Sequence, residues 1–418
     1  MSKKLAINGG EPVIKESKVH GKWPTEATEA ELSDLSRQRN LDIGIKGRAG
    51  PILEFEDMFL EFMNNDVKYA VSFNSGTSAL YAAFVGIGLA EGDEVIGPAL
   101  TYHAALSPLH ILKVKVVLAD VDLRSKCISV DSIKGLISPR TKAIVVVHQW
   151  GHPADMEGII ELAKANGLKI IEDCSHAHGS TYKGRSVGTF GDVAAFSLQT
   201  NKAIFAGEGG ILVTNSEEIK DRATLLGHYR DRSRDEILDE RYQRYWVTGF
   251  GLKLRMSPFN AIVAQYSLKN FSHVMENRNK CLTYLSDRIT QEVSYLEAPE
   301  VSSEVTMGAW YGYKPLYIAG NLGGITREQF VRIARSEGLQ IKAPSGGVLS
   351  EQPLYSEKYV DLFPEFERYV NNINTTPNAA LLEEIGLSFP VFSNWKEDRQ
   401  IIDAYIVALK KIQELSQR

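Results

Sequence analysis

The residues best suited to chemistry lie in four short segments, and each segment directly follows an apolar run that predicts a buried strand. The segments are residues 74–78, 98–103, 172–176 and 196–210. In open α/β sheets, ligands bind beyond the carboxyl ends of the strands. Polar side chains at these positions are therefore the first candidates for a site.

The first segment, Asn74-Ser75-Gly76-Thr77-Ser78, lies between a predicted strand and a predicted helix. Free backbone N–H groups and the helix dipole favour a phosphate at such a position, and Gly76 lets the backbone approach it closely. An ordinary Ser/Thr cap of the helix explains the same residues. The segment alone leaves both interpretations open.

The second segment, Glu172-Asp173-Cys174-Ser175-His176, places acids at the end of a buried strand. A carboxylate there is costly unless a cation or hydrogen-bond donors meet it, and the protonated ring nitrogen of a cofactor is one such cation. A salt bridge or a helix cap is the alternative for Asp173. His176 is placed either to orient a ring oxygen of a cofactor or to serve as an ordinary buried polar residue.

The third segment carries Lys202, five residues after Ser197 and shortly before the glycine-rich stretch Gly207-Glu208-Gly209-Gly210. A lysine held among apolar and small residues has its ammonium form disfavoured, so the neutral amine becomes a nucleophile for a carbonyl. Most loop lysines are simply solvated. Ser197 is a possible donor to a phosphate, and the glycines are equally explained by a close turn.

The fourth segment ends in Tyr102-His103. The ring of Tyr102 offers a flat face that can stack on an aromatic cofactor. A core or interface tyrosine is the alternative.

The elements around these segments predict a parallel sheet with crossover helices between about Tyr69 and Asn215. Short apolar runs indicate strands buried on both faces, and spacings of three and four indicate helices packed on them. The predicted strands are residues 69–73, 94–97, 115–119, 143–148, 169–173, 194–198 and 211–214, and the predicted helices are residues 78–85 and 156–165.

The pattern of apolar residues changes after Arg255, where long amphipathic stretches replace the short apolar runs. We expect a large domain over residues 1–255 and a smaller α+β domain over residues 256–418. In the second part, residues 260–274, 279–293, 327–337 and 397–415 predict helices, residues 311–318 predict a strand, and residues 344–371 predict a loop that is either disordered or covers a site.

Bulk properties restrict the class of protein. The 418 residues exceed the size of one typical domain, and 44% hydrophobic and 24% charged residues are ordinary for a soluble protein. No apolar run is long enough for a membrane span or a signal peptide, which predicts a cytoplasmic protein. A net charge of −5 without a basic cluster argues against nucleic-acid binding, and three scattered cysteines without a CxxC pair predict neither disulfides nor a metal site.

Taken together and in this order, the motifs resemble those of the DegT/StrS-type sugar aminotransferases, a branch of the fold type I pyridoxal-phosphate enzymes. The resemblance covers most of the chain and rests on SGTSAL, GDEVIGPALTYHA, IIEDCSHAHGS, GTFGDVAAFS and NKAIFAGEGG. It implies an α/β fold with a large, predominantly parallel-sheet domain and a smaller C-terminal domain. It also implies a homodimer with shared active sites.

The resemblance implies a role for each candidate residue. Lys202 becomes the lysine that holds the cofactor as a Schiff base, Asp173 the partner of the pyridine nitrogen, and Tyr102 the stacking aromatic. Gly76, Thr77 and Ser197 would hold the phosphate, and His176 would flank the ring.

Two positions depart from the family pattern. Where the family often has Gly-x-Asn-x-Arg, this chain has Gly251-Leu252-Lys253-Leu254-Arg255, so Lys253 either serves the phosphate of a partner subunit as a cation or points to solvent. Ser350 stands where the family commonly has histidine, which leaves the substrate contacts open.

The predicted function is a ping-pong transamination from L-glutamate or L-glutamine to a nucleotide-linked keto-sugar or a keto-cyclitol. Two alternatives remain. One is a pyridoxamine-phosphate-dependent sugar dehydratase, which resembles this family with histidine in place of Lys202. The other is a sensor that binds the cofactor or a sugar without turnover.

Overall fold

The structure is a computed structural model that describes residues 4–15, 33, 47–356 and 375–416. Its α-helices are α1 (Gly50–Phe62), α2 (Gly76–Gly86), α3 (Ser107–Ile111), α4 (Val130–Leu136), α5 (Met156–Asn166), α6 (Glu217–Gly227), α7 (Asp231–Glu236), α8 (Glu240–Gln243), α9 (Pro258–Lys269), α10 (Phe271–Glu292), α11 (Arg327–Ser336), α12 (Pro353–Ser356), α13 (Pro377–Ile385) and α14 (Trp395–Ser416). Its strands are β1 (Tyr69–Phe73), β2 (Glu94–Pro98), β3 (Lys115–Ala119), β4 (Thr141–Val147), β5 (Lys169–Asp173), β6 (Thr181–Tyr182), β7 (Arg185–Ser186), β8 (Val193–Ser197), β9 (Gly210–Thr214), β10 (Leu296–Glu297), β11 (Val305–Thr306) and β12 (Leu316–Tyr317).

A seven-stranded sheet in the order β1-β9-β8-β5-β4-β2-β3 forms the centre of the large body. Strands β3, β2, β4, β5 and β8 run parallel to one another, whereas β9 pairs antiparallel with both β8 and β1. The strands are almost continuously buried because helices cover both faces, as their apolar sequences require. The predicted α/β class and the seven strands predicted between residues 69 and 214 are confirmed.

Helix α2 packs unusually close to the sheet. A Cβ atom at Gly76 would lie 2.6 Å from the Cβ atom of Ser197, and a Cβ atom at Gly210 would lie 2.3 Å from the carbonyl oxygen of Ser75. Glycine at both positions therefore lets the N-terminus of α2 meet the ends of β8 and β9. Ser75 caps the helix, since its Oγ accepts a hydrogen bond from the N–H of Ser78 at 3.0 Å.

The C-terminal part has its own apolar core, built mainly from α10, α11 and α14 with the short strands β10 and β12. Leu5, from the N-terminal end, packs into this core. Helix α9 instead packs on α1, and its residues Ala261, Ala264 and Leu268 share a core with β8 and β9. The division at residue 255 stays a prediction, and this packing leads us to propose that the boundary lies within α10.

Two predictions for the C-terminal part were wrong in detail. The predicted strand at residues 311–318 is reduced to β12, because Trp310 has a left-handed backbone (φ 47°), the N–H groups of Tyr311 and Gly312 donate to the carbonyl of Trp150, and Pro315 has no N–H to donate. The predicted break between two long helices lies at Asn270 rather than after residue 274. The Asn270 side chain donates to the carbonyl of Tyr266 and so ends α9.

Residues 344–356 form a loop with a short turn at Leu349–Glu351 and the one-turn helix α12 at its end. The rest of the predicted loop, residues 357–371, lies outside the described residues. Across the described residues, no helix combines the length and the apolar character that crossing a membrane requires.

Candidate active site

One cavity of about 840 Å³ opens where the carboxyl ends of β4, β5 and β8 meet the N-terminus of α2. Seven of the eight predicted site residues line it. These are Gly76, Thr77, Tyr102, Asp173, His176, Ser197 and Lys202. The fold thus brings together side chains that are separated by more than a hundred residues in the sequence.

One corner of this cavity is formed by Gly76, Thr77 and Ser197. Gly76 and Thr77 are the first two residues of α2, so their N–H groups have no partner within the helix. Ser197 ends β8 in contact with Gly76, and its N–H donates to the Ser175 Oγ at 3.1 Å. A helix N-terminus beside a serine hydroxyl offers several donors to an anion.

Asp173 ends β5 and is 6% exposed. Its Oδ1 accepts a hydrogen bond from the N–H of Ser175 at 3.0 Å. Burial raises the pKa of the Asp173 carboxyl, although the bonds from Ser175 and the charge of Lys202 act in the opposite direction. A buried acid with this few donors is suited to meet a cation that enters the cavity.

Lys202 follows β8 in a tight turn. Its N–H donates to the carbonyl of Gln199 at 2.8 Å, and the N–H of Thr200 donates to the carbonyl of Gly207 at 2.8 Å. Gly207 has a left-handed backbone (φ 82°), which the return of the chain into β9 requires. The turn directs Lys202 into the cavity, where its Nζ lies 4.0 Å from the centre of the Tyr311 ring.

His176 and Tyr311 form a stacked pair in the cavity wall. Their ring centres are 3.9 Å apart and their planes differ by 8°. The Nδ1 of His176 accepts the N–H of Trp150 at 3.4 Å. Burial, together with the charges of Lys202 and Lys314, holds the pKa of His176 well below its usual range, so its ring is neutral.

Tyr102 lies on the open side of the cavity and is 65% exposed, with its ring centre 4.4 Å from that of His103. An exposed ring at the mouth is free to cover a flat ligand bound below it.

Lys253 and Ser350 are not among the cavity-lining residues. Lys253 is exposed, in a segment held to the end of β1 by a hydrogen bond from the N–H of Asn74 to the carbonyl of Leu254 at 2.7 Å. Ser350 pairs with the hydroxyl of Thr376 at 2.7 Å. The structure therefore does not bring Lys253 to the site of its own chain.

Sequence reasoning missed three prominent residues of the cavity: Trp150, Tyr311 and Lys314. Trp150 follows β4, so the rule that selected the other strand ends could have found it. Tyr311 and Lys314 come from the C-terminal part, and no motif or spacing marks them. They reach the site because the segment around them is hydrogen-bonded to the loop that carries Trp150.

His148, Glu172 and Cys174 form the one buried group of potential metal ligands found among the described residues. The ring nitrogens of His148 and the carboxylate of Glu172 already have hydrogen-bond partners. Nε2 of His148 lies 3.0 Å from Glu172, Nδ1 of His148 accepts the N–H of Ala154 at 3.1 Å, and Glu172 accepts three backbone N–H groups. The group is explained by structure without a metal ion.

The residues present fit pyridoxal phosphate. The helix N-terminus with Ser197 suits the phosphate, the buried Asp173 suits a protonated ring nitrogen, and Lys202 suits the aldehyde. The observation that calls for such a cation is the burial of the Asp173 carboxyl in the cavity wall, where it accepts a hydrogen bond from the N–H of Ser175. His176 and Tyr102 supply aromatic surfaces for the ring.

The sequence profile of the DegT/DnrJ/EryC1/StrS aminotransferase family matches residues 29–400, most of the chain. The protein belongs to this family. The family, the fold and the dependence on pyridoxal phosphate predicted from the motifs are thereby confirmed, and the predicted enzyme class is that of the family.

Curated relatives include the GDP-perosamine synthase of Escherichia coli O157:H7, 40% identical over 225 residues, or 54% of this chain and 59% of that protein. The L-glutamine:scyllo-inosose aminotransferase of Streptomyces griseus is 30% identical over 319 residues, or 75% of this chain and 74% of that protein. The alignment with the Escherichia coli protein spans less than two thirds of its length.

Among solved structures, the aminotransferase from Psychrobacter cryohalolentis superposes with a TM-score of 0.80 at 27% identity and covers 95% of this chain and 99% of that chain. The fold is also shared by the Escherichia coli GDP-4-keto-6-deoxy-D-mannose-3-dehydratase, with a TM-score of 0.76 at 22% identity and coverage of 94% and 98%.

Proposed function

We propose that the protein is a pyridoxal-phosphate-dependent aminotransferase that moves an amino group from L-glutamine or L-glutamate to a keto-sugar or keto-cyclitol. The observation that carries this proposal is the meeting of Lys202 and Asp173 in one cavity with the N-terminus of α2. An amine, an acid for a ring nitrogen and an anion site are the three groups that this cofactor requires.

When bound, the cofactor supplies an electron sink for the carbanion formed at the substrate carbon. The chain's own residues then have separate tasks. Asp173 would keep the ring nitrogen protonated, because its carboxylate is a buried acid that faces the cavity. Lys202 would take the proton from the α-carbon of the donor and deliver it to the cofactor carbon that carries the amine. In the second half-reaction it would move a proton from that cofactor carbon to the acceptor carbon that receives the amine.

The acceptor is proposed from two branches of relatives. One relative is a GDP-perosamine synthase, and another is an L-glutamine:scyllo-inosose aminotransferase. A panel of 3-keto and 4-keto nucleotide sugars and scyllo-inosose, offered to the enzyme in its pyridoxamine form, separates the branches. The true acceptor restores the aldehyde form, which is read from the absorbance of the cofactor.

The dehydratase alternative is disfavoured by Lys202. The resemblance assigns histidine to that position in the dehydratases, whereas this chain places a primary amine at the cavity wall. A sensor without turnover predicts that no 2-oxo acid leaves the protein. Release of the 2-oxo acid from the amino donor, in the presence of the keto substrate, therefore distinguishes the proposal from this second alternative.

We further propose a cytoplasmic homodimer in which Lys253 reaches the phosphate of the partner subunit's cofactor. The apolar side chains of Tyr245, Val247, Phe250 and Phe259 are each at least 44% exposed and lie near Lys253 in the chain, where they are available for contact with a second subunit. The three cysteines are buried and unpaired, as in proteins of reducing compartments.

Lys202→Ala tests the function directly. We expect it to abolish release of the 2-oxo acid from the donor while the variant still binds the cofactor's phosphate. Lys164→Ala, at an exposed position of α5, is the matched control and should retain wild-type turnover. Wild-type turnover in Lys202→Ala would remove the amine from the mechanism and the proposal with it.

A further inference from the structure

A second lysine, Lys314, opens on the same cavity as Lys202. Its Nζ donates to the hydroxyl of Ser388 at 2.8 Å and lies 5.3 Å from the centre of the Trp150 ring. Both partners are neutral. Within the described residues, no carboxylate oxygen lies within 4.0 Å of this ammonium, and Glu383 acts on it only from a greater distance.

The surroundings hold Lys314 firmly in place. Its carbonyl accepts a hydrogen bond from the Nζ of the buried Lys126 at 2.7 Å. Gly312 leaves room for it, because a Cβ atom there would lie 3.1 Å from Cε of Lys314 and 3.1 Å from the Trp150 ring. A fixed and partly buried cation without a counter-ion, facing a cavity, is a site prepared for an anion.

We propose that Lys314 binds the carboxylate of the amino donor. The inference rests on the proposed function, since only an aminotransferase needs an amino-acid donor in this cavity. The corner formed by Gly76, Thr77 and Ser197 is already assigned to the phosphate of the cofactor. A second anion in the cavity must therefore belong to a substrate. In this wall the ammonium groups of Lys314 and Lys342 lie near the carboxylate of Glu383, so the three groups together carry one positive charge, which suits a single carboxylate better than a diphosphate.

The charge of Lys314 changes with pH around its pKa of about 8, within the range in which activity can be measured. Burial lowers the pKa of Lys314 to about 8; Glu383 raises it and Lys342 lowers it further. The other groups facing this lysine are the neutral ring of His176 and the ammonium of Lys126, whose pKa burial also lowers to about 8.

Because only the ammonium form binds a carboxylate, affinity for the donor should fall as the pH rises through about 8. Above that pH the loss approaches tenfold for each pH unit. An arginine at position 314 stays charged and should remove this fall, whereas a fall caused by Lys126 would persist.

The kinetic test uses Lys314→Met, Lys314→Arg and the control Lys164→Met, which removes an exposed cation from α5, outside the residues that line the cavity. In a ping-pong reaction, kcat/KM for the donor and kcat/KM for the acceptor report separate half-reactions. We expect Lys314→Met to lower the donor value by about tenfold to a hundredfold, mainly through KM, and to lower the acceptor value less. Lys164→Met should change both values by less than threefold.

A greater loss for the acceptor than for the donor would overturn the proposal and indicate a nucleotide diphosphate at Lys314 instead. The proposal would also be overturned if the affinity of Lys314→Arg for the donor fell with rising pH as it does in the wild type.

A binding measurement separates this proposal from the proposed function. Maleate, a dicarboxylate that cannot be transaminated, is titrated into the holoenzyme by calorimetry. We expect binding to wild type and to Lys314→Arg, and at least tenfold weaker binding to Lys314→Met. If wild type shows no turnover with any donor yet binds maleate through Lys314, the proposed function fails and the anion site stands. Equal maleate affinity in all variants overturns the site alone.

Discussion

Glu172 and Asp173 are neighbours on β5, but their side chains face opposite sides of the sheet and meet opposite surroundings. Glu172 accepts N–H groups from Gly188, Phe190 and Gly191 at 2.7–2.8 Å and lies 3.0 Å from His148. Asp173 faces the cavity with Ser175 as its donor, and burial raises its pKa.

The comparison teaches that a buried acid has two uses in this fold. On the Glu172 side, the acid accepts hydrogen bonds from backbone N–H groups of the loop that precedes β8 and so stabilises the sheet. On the Asp173 side, the acid is left short of donors, which costs stability but provides a charge for a ligand. The sequence motif that contains both residues cannot distinguish these roles, because it is the pleat of the strand that assigns each side chain to its face.

Glu172→Ala should have the largest effect on stability. Three backbone N–H groups and the His148 ring would lose their acceptor in a dry interior, which costs about 3–5 kcal/mol of unfolding free energy. Turnover per folded molecule should change little. Denaturant unfolding of the holoenzyme, with active-site titration, measures both quantities. A stable variant with lost activity would show that Glu172 acts in the site rather than in the sheet.

Asp173→Asn should give the reverse result. Without the negative charge beside the ring nitrogen, we expect turnover to fall about a hundredfold or more, because preorganised electrostatic groups contribute on this scale. The N–H of Ser175 keeps its acceptor, so the holoenzyme should remain folded. A variant that unfolds like Glu172→Ala, or that retains full activity, would remove the contrast between the two acids.

The same variant carries a pH signature in the cofactor-free protein. Since burial raises the pKa of Asp173 above 3.8, the folded chain binds this proton more tightly than the unfolded chain. The wild type should therefore lose stability as the pH rises from about 4 through the raised pKa, and Asp173→Asn should lack this loss. Urea unfolding across that range tests the sign.

The cavity also shows how far the sequence could predict the site. The residues on the Asp173 side that follow strands were predictable, because the carboxyl ends of parallel strands converge. Gly76, Tyr102, Asp173 and Lys202 are of this kind. The large sheet was predictable for a related reason, since its strands are short apolar runs that are typical of strands buried on both faces.

Tyr311 and Lys314 were not predictable in this way. Their segment depends on a left-handed residue, Trp310, and on two hydrogen bonds to the carbonyl of Trp150, and neither feature leaves a periodic pattern. The β-like composition of residues 311–318 instead favoured a strand. Contacts between the two parts of the chain therefore complete the site, and local sequence does not encode them.

Gly76→Ala should have the smallest effect. It tests whether the close contact between α2 and β8 shapes the proposed phosphate site on the Asp173 side of the sheet. The new Cβ atom would lie 2.6 Å from the Ser197 Cβ and 2.9 Å from its Cα, so α2 or β8 must shift. We expect cofactor affinity to fall roughly tenfold, through weakened hydrogen bonds at the helix N-terminus. The unfolding free energy should fall by about 1–3 kcal/mol because of overpacking.

The matched control is Gly135→Ala in α4, where no atom lies within 4 Å of the added Cβ. There the substitution should leave cofactor binding unchanged and should stabilise the helix slightly, since alanine favours the helical backbone. Equilibrium dialysis of pyridoxal phosphate against both variants measures the difference. Equal affinity in the two variants would mean that the phosphate does not depend on the contact between α2 and β8, and the anion site would have to be placed elsewhere along the cavity wall.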